Sequence, residues 1–148
     1  MNQTLERIEF NLHTAASDDA SIITPKEAFR KARSLGQTAF AVTSLNSVQD
    51  YYELEKELEK ADDGFRILYG VTVELEPAER VVLLARNRAG LRGIYEVVSS
   101  LHLQDGHKIA DRNVVEKHRK NLLCGSESRF CAVVAALRGE ATDEALIR

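Results

Sequence analysis

Apolar and polar positions follow two different periods along the chain, and together they predict strands separated by helices. Residues 7–13 alternate strictly, with Ile8, Phe10 and Leu12 on one face and polar side chains on the other, which is typical of a β-strand. Apolar runs predict further strands over residues 39–43, 66–71, 81–85 and 121–125. The first of these runs is apolar on both faces, as in a strand that is buried between two layers.

Between the predicted strands, apolar residues recur at the spacing of an amphipathic helix, and residues that typically begin or end helices flank them. Thr24 can cap a helix that Pro25 begins, and Glu27 can reach back to complete a capping box. Gly36 is a natural stop for this helix. The spacing predicts further helices over residues 47–61, 88–101, 113–118, 129–137 and 142–147. A turn at residues 76–79 separates the third and fourth strands.

Strands that alternate with helices predict an α/β fold with about five mostly parallel strands. Periodicity alone leaves open whether the sheet is an open, doubly wound sheet or part of a barrel. A length of 148 residues indicates a single domain that is large enough to bury a core.

Composition limits the classes of partner. The chain carries 20 Lys and Arg against 23 Asp and Glu, a net charge of −3, and the two signs are interleaved, as in residues 53–60. We therefore expect weak or no direct binding to nucleic acid. No apolar run is long enough for a membrane span, and Cys124 and Cys131 do not make a disulfide framework. We expect a cytoplasmic protein with no membrane partner.

Common catalytic fingerprints are missing from the sequence. It contains no GxxxxGK[ST] or GxGxxG phosphate loop, no GxSxG elbow and no paired CxxC zinc motif. Among the histidines, His13 stands out because it ends a predicted strand, where the ligand sites of α/β folds collect.

Several segments, in the right order, resemble the PHP (polymerase and histidinol phosphatase) domain, most closely that of PolC-type DNA polymerase III alpha subunits. These segments are residues 11–14 with Ser17, Gly36 with 39–43, 68–71, 82–91, 96–102 and 116–126. The likeness covers about residues 7–137. It implies a partial PHP-like (β/α) barrel over residues 1–148, as a fragment of a longer chain or as a free-standing relative.

Active members of the family hydrolyse phosphoesters with a cluster of metal ions held by His, Asp and Glu at strand ends. At the ligand positions that the resemblance assigns, this chain carries Asn11, His13, Ser44, Leu45, Thr72, Arg80 and Ala20. Only His13 keeps a side chain of the family's kind, and Arg80 puts positive charge where a cation would bind.

The first hypothesis is therefore a catalytically degenerate PHP-like domain, related to the DNA polymerase III alpha subunit, with a structural or interaction role in DNA replication. We expect no catalytic residue, no bound metal and no cofactor. His13 would hydrogen-bond to Asn11 or Thr43 instead of to a metal. The resemblance implies docking on a polymerase body or another replication protein. Exposed sheet edges predict either self-association or an edge that the chain's own C-terminal tail covers.

Two alternatives remain open. One is a metal-dependent phosphoesterase with a rebuilt site, in which His13, Glu74, and Asp18 or Asp19 would hold Mn, Zn or Mg, with Asn11 as an oxygen ligand. The other is an anion site whose main charge is that of Arg80. The polar side chains that would line that anion site are Asn11, Thr43, Ser44 and Thr72.

Overall fold

The computed structural model describes residues 7–18, 21–61, 63–76, 79–103 and 108–127. Five strands form one curled sheet in which spatial order follows chain order. The strands are β1 (Glu9–Leu12), β2 (Ala39–Val42), β3 (Arg66–Glu76), β4 (Glu79–Ala85) and β5 (Leu122–Ser126). The partial barrel that the sequence predicts is confirmed.

Strand direction changes once in this sheet. β1, β2 and β3 are parallel, whereas β4 is antiparallel to both β3 and β5. All strands except β4 therefore run in the same direction, in agreement with a mostly parallel sheet. The reversal occurs where the chain passes from β3 to β4 without a helix, because a parallel connection would need a crossover of a dozen or more residues.

Within the described residues, four α-helices and one short 3₁₀ turn accompany the strands. They are α1 (Pro25–Ser34), α2 (Asp50–Ala61), α3 (Arg88–His102), α4 (Arg112–His118) and the 3₁₀ turn Arg119–Asn121. The predicted capping box of α1 is present, with Thr24 Oγ1 accepting from the Glu27 backbone N–H at 3.3 Å. The helices predicted over 129–137 and 142–147, like Cys131, lie outside the described residues.

Two elements differ from their predicted bounds. α2 begins at Asp50 and not at residue 47, because the preceding loop has buried polar groups and does not continue the helix. β3 extends to Glu76 instead of ending at residue 71, since its second half pairs with β4 from Gly70 onward.

All the helices with buried faces pack on one face of the sheet. Val71, Val73 and Leu83 meet Ile94 and Val97 of α3 in one cluster. A second cluster joins α1 and α2 to β2 and β3 through a different set of side chains, namely Phe29, Phe40, Val42, Leu54 and Ile67. Alternate residues of each strand therefore point to the opposite, inner face of the curled sheet, and this face carries the polar groups described below.

Two glycines of the recognised segments are required by close packing. A Cβ atom on Gly70 would lie 2.6 Å from the Leu83 carbonyl oxygen, and one on Gly90 would lie 2.1 Å from the Asn121 carbonyl oxygen. Asn87 caps α3 by accepting from the Gly90 N–H at 3.0 Å. Close packing of the backbone therefore explains why glycine occupies these two positions. Among the described residues, none of the helices combines the length and apolar character of a membrane span.

Candidate functional site

A group of polar side chains lies where β1 and β2 end, beside the middle of β3. Asn11 and His13 are two residues apart and so share the inner face, and Thr43 follows directly after β2. Thr72 lies on β3, and its backbone forms an isolated parallel β-bridge with the backbone of Leu45. We call Asn11, His13, Thr43 and Thr72 the polar mouth.

The side chains of the polar mouth are hydrogen-bonded to one another. His13 Nε2 lies 3.2 Å from Asn11 Oδ1 and 3.1 Å from Thr72 Oγ1. Thr43 Oγ1 donates to Asn11 Oδ1 at 2.8 Å. The expected contact of His13 with Asn11 is therefore present, and Thr72 is a further partner that the sequence did not predict. Side chains from three strands are connected in this way.

A second polar layer lies beneath the polar mouth. Ser44 Oγ donates to Asp50 Oδ2 at 2.6 Å, and Thr14 Oγ1 donates to the same oxygen at 3.0 Å. All three residues are buried. Burial raises the pKa of the Asp50 carboxyl, while the hydrogen bonds from Ser44 and Thr14 act in the opposite direction. The Ser44 hydroxyl is therefore hydrogen-bonded within the second polar layer.

Asp50 and Thr14 escaped the sequence analysis. Asp50 was placed within a predicted helix, where a carboxylate is ordinarily solvated. Asp50 does begin α2, but the loop of residues 43–49 places its carboxylate against Ser44 and Thr14 and out of solvent. Its second oxygen, Oδ1, is buried without a hydrogen-bond partner among the described residues. The sequence feature that could have indicated this layer is the pair of polar residues Thr43 and Ser44 directly after the buried strand β2.

The loop after β2 contains Ser44 and Leu45, the two positions to which the resemblance assigns metal ligands. Leu45 is only 4% exposed, and its backbone N–H donates to Ser17 Oγ at 2.7 Å. Asn46 has a positive φ of 55°, which asparagine tolerates better than most residues. Its carbonyl oxygen lies 3.1 Å from His102 Nε2. The conformation of this loop is therefore fixed by the hydrogen bonds of its backbone to Ser17 and His102 and by the buried side chain of Leu45.

The remaining candidate residues have other partners. Asp18 forms an ion pair with Lys108 at 2.9 Å, and Arg80 faces Glu127 at 3.7 Å. Glu74 is half-buried and pairs in register with Arg80 on β4. Asp19 and Ala20 lie outside the described residues. Within the described ranges, no three His, Cys, Asp or Glu side chains form a group that could hold a metal ion.

The chemistry of the donors in the polar mouth does not suit a metal cluster. One imidazole, one amide oxygen and two hydroxyls carry no formal negative charge, whereas Mg²⁺ and Mn²⁺ prefer carboxylates and Zn²⁺ prefers thiolates, imidazoles and carboxylates. Thr43 and Thr72 are, in addition, fully buried. The arrangement is suited to fixing the strand ends relative to one another.

Comparison with known proteins gives the same family as the resemblance found in the sequence. The family model of the PHP domain matches residues 9–146. No curated protein matches the chain. A solved structure of a protein assigned as a metal-dependent phosphoesterase, from Bifidobacterium adolescentis ATCC 15703, is similar with a TM-score of 0.50 and 17% identity, over 65% of this chain and 33% of that one.

An amidohydrolase from Chromobacterium violaceum, solved with bound sulfate and no metal, has a TM-score of 0.45 and 16% identity, over 75% of this chain and 48% of that one. The chain thus spans less than half the length of either protein. At these identities the structural likeness concerns the fold alone.

Proposed function

This chain belongs to the PHP domain family, and from that membership we propose that it is a catalytically degenerate PHP domain with a structural or interaction role. The observation that carries the proposal is the hydrogen bonding within the polar mouth. His13, the one family-type ligand that remains, is held by Asn11 and Thr72. These are neutral side chains, and they stabilise the fold where the family places metal ligands.

The nature of the substitutions supports the same proposal. A hydrolytic metal centre needs several anionic or imidazole ligands that fix the ion and lower the pKa of its bound water. Leu45 cannot coordinate an ion, and Ser44 and Thr72 are neutral and buried. Meanwhile the glycines that permit close packing, Gly70 and Gly90, are kept. Selection for the scaffold without the reaction would produce this combination.

A more specific part of the proposal concerns DNA replication. We infer a role like the one that the resemblance to PolC-type DNA polymerase III alpha subunits implies, namely docking on a polymerase body or another replication protein. The segments that support it are residues 82–91 and 116–126, which pack against each other through the contact of Gly90 with Asn121.

A metal-dependent phosphoesterase with a rebuilt site is the second candidate. The observation in its favour is that Asn11 Oδ1 and His13 Nε2 lie within 3.2 Å of each other at the accessible edge of the polar mouth. A single Mn, Zn or Mg ion would need carboxylates in addition. Asp18 would have to leave its ion pair with Lys108 to supply one.

Metal content and hydrolysis distinguish these candidates. The protein is purified without chelator, its zinc, manganese and iron are measured by elemental analysis, and a generic phosphomonoester is assayed with added manganese. We expect well below one equivalent of metal and no turnover above that of His13→Ala. Near-stoichiometric metal, with turnover that His13→Ala abolishes, would instead establish the rebuilt site.

Two variants serve as controls. Cys124→Ser removes an exposed thiol of β5 and reports zinc that binds adventitiously to sulfur. Asn11→His restores two imidazoles two residues apart on one strand face, and we expect it to retain more zinc than the wild type. A wild type that retains as much zinc as Asn11→His would count against degeneracy.

A further inference from the structure

A basic surface lies at the end of the sheet opposite to the polar mouth. It forms where β3 begins and β4 ends, around the start of α3. A shallow pocket of about 270 Å³ at this place is lined by Tyr69, Arg86 and Arg88, with an apolar floor that includes Ile67 and Leu91. We call Tyr69, Arg86, Arg88, Arg92 and Tyr95 the arginine–tyrosine surface.

The arginine side chains of this surface have no side-chain partner in the part of the chain that the structure describes. Arg86, Arg88 and Arg92 are exposed, and none of them forms an ion pair or side-chain hydrogen bond with a described residue. Residues 86–92 contain no acidic side chain. Arg88 and Arg92 are four residues apart on α3 and therefore project from one helix face.

The neighbouring acidic side chains are already occupied. Glu55 accepts a hydrogen bond from the Tyr69 hydroxyl. Glu96 is bound by Lys117 at 2.7 Å and by His118 at 2.8 Å. The positive charge of the three arginines is therefore not balanced by any acidic side chain within the described residues, although the chain as a whole carries a net charge of −3.

Aromatic side chains border the arginines. The Tyr51 ring lies 4.8 Å from that of Tyr69 and 6.1 Å from that of Tyr95, so the three rings form one cluster. Tyr95 is 45% exposed and continues the face of α3 that carries Arg88 and Arg92. Arg and Tyr are the residues that protein interfaces favour, since they combine large contact area with directed polar groups.

We propose that the arginine–tyrosine surface binds an acidic segment of a partner protein, with an apolar side chain of that segment in the pocket. The carboxylates would pair with Arg86, Arg88 and Arg92, whose planar guanidinium groups bind carboxylates through two hydrogen bonds. This proposal goes beyond the proposed function, because it concerns the other end of the sheet and holds whether or not the polar mouth binds a metal.

A protein segment fits this surface better than a nucleic acid. Three arginines can neutralise only a few phosphates, and affinity for nucleic acid depends on that number. The apolar floor formed by Ile67 and Leu91 suits an aliphatic or aromatic side chain.

The test uses the full chain and a fluorescein-labelled decapeptide in which one phenylalanine is flanked by glutamates. Binding is followed by fluorescence anisotropy and mapped by backbone amide shifts. We expect shifts confined to residues 66–69 and 85–95, weaker binding as salt is raised, and at least about tenfold weaker binding of a matched glutamine peptide.

Arg88→Glu is the decisive variant. An acidic residue in the first turn of a helix is favourable, so loss of binding cannot be ascribed to unfolding of α3. We expect at least about tenfold weaker binding, whereas Arg30→Glu on the exposed face of α1 makes the same charge change and leaves binding within about twofold.

Three outcomes would overturn the proposal. They are an absence of amide shifts on this surface at millimolar peptide, equal binding by Arg88→Glu and the wild type, and tighter binding of a labelled dT20 single strand than of the acidic peptide. The last of these would assign the surface to nucleic acid.

Discussion

Thr43 donates a 2.8 Å hydrogen bond to the side-chain amide oxygen of Asn11, and this bond links the ends of two adjacent parallel strands. The same oxygen lies 3.2 Å from His13 Nε2. A metal ligand at residue 11 would have to give up these contacts in order to face an ion. The polar mouth therefore has a role in holding β1 against β2.

We predict that this bond contributes measurably to stability. In a double-mutant cycle of Asn11→Ala and Thr43→Val, urea unfolding should give a coupling free energy of about 1 kcal/mol, the usual net value of an intramolecular hydrogen bond. A cycle of Asn11→Ala with Thr24→Ala, whose cap lies on α1, should be additive. Additivity in both cycles would mean that the bond does not form in solution.

Asp50 predicts an unusual pH dependence. Because burial raises the pKa of its carboxyl, the folded state binds this proton more tightly than the unfolded state. The free energy of unfolding should therefore decrease as pH rises from the ordinary Asp pKa through the raised one. Asp50→Asn keeps an acceptor for Ser44 and Thr14 and should abolish this decrease.

The measurement is urea unfolding of both proteins from pH 4 to pH 8. The difference in stability between Asp50→Asn and the wild type should shift in favour of the variant as pH rises. A pH-independent difference would show that the Asp50 carboxyl has an ordinary pKa in the folded state.

Gly90→Ala should be destabilising although alanine is the better helix former. The added Cβ would lie 2.1 Å from the Asn121 backbone oxygen, and overpacking of this kind costs about 1–3 kcal/mol. Gly125→Ala is the matched control, because nothing lies within 4 Å of its Cβ position. We expect that control to change stability by no more than about 0.5 kcal/mol in chemical denaturation. Equal effects of the two substitutions would argue against the docking of α3 on the 3₁₀ turn.

Glu96 should contribute to stability in a window at acid pH. Hydrogen bonds from Lys117 and His118 lower the pKa of its carboxyl to about 2, so its contribution is complete above the ordinary Glu pKa and is lost as pH falls toward 2. Glu96→Gln should lower the melting temperature at pH 6 but not at pH 2. Glu59→Gln on α2 should have no such effect at either pH. A Glu96→Gln protein that melts with the wild type at pH 6 would refute this contact.

Local signals explain why the strands and α1 were predictable. The alternation in residues 7–13 and the capping box of Thr24 depend only on residues that are close in sequence. The folded structure therefore contains the strand and the cap that these patterns predict. The reversal of β4 was also accessible, because the turn at residues 76–79 is too short for a crossover.

The second polar layer could not be predicted in the same way. Asp50 reaches Ser44 and Thr14 only because the loop after β2 turns back under the sheet, and no periodicity encodes that path. For the polar mouth, period two placed Asn11 and His13 on one face. The contact with Thr72 was not predictable, because Thr72 lies in the second half of β3, beyond the predicted end at residue 71, where the strand pairs with β4.

The edge of β1 leads to a prediction about self-association. Among the described strands β1 pairs with β2 alone, so its other side has no strand partner within the described residues, and Phe10 on this strand is 53% exposed. Such edges pair with other chains unless they are protected.

In size-exclusion chromatography with light scattering, the mass should rise above 16.5 kDa as concentration increases. Phe10→Lys should restore the monomer mass, because a charged side chain opposes edge pairing, whereas Ile22→Lys, at a residue that is 92% exposed and outside the sheet, should not. A wild type that stays at the monomer mass at every concentration would rule out association through β1.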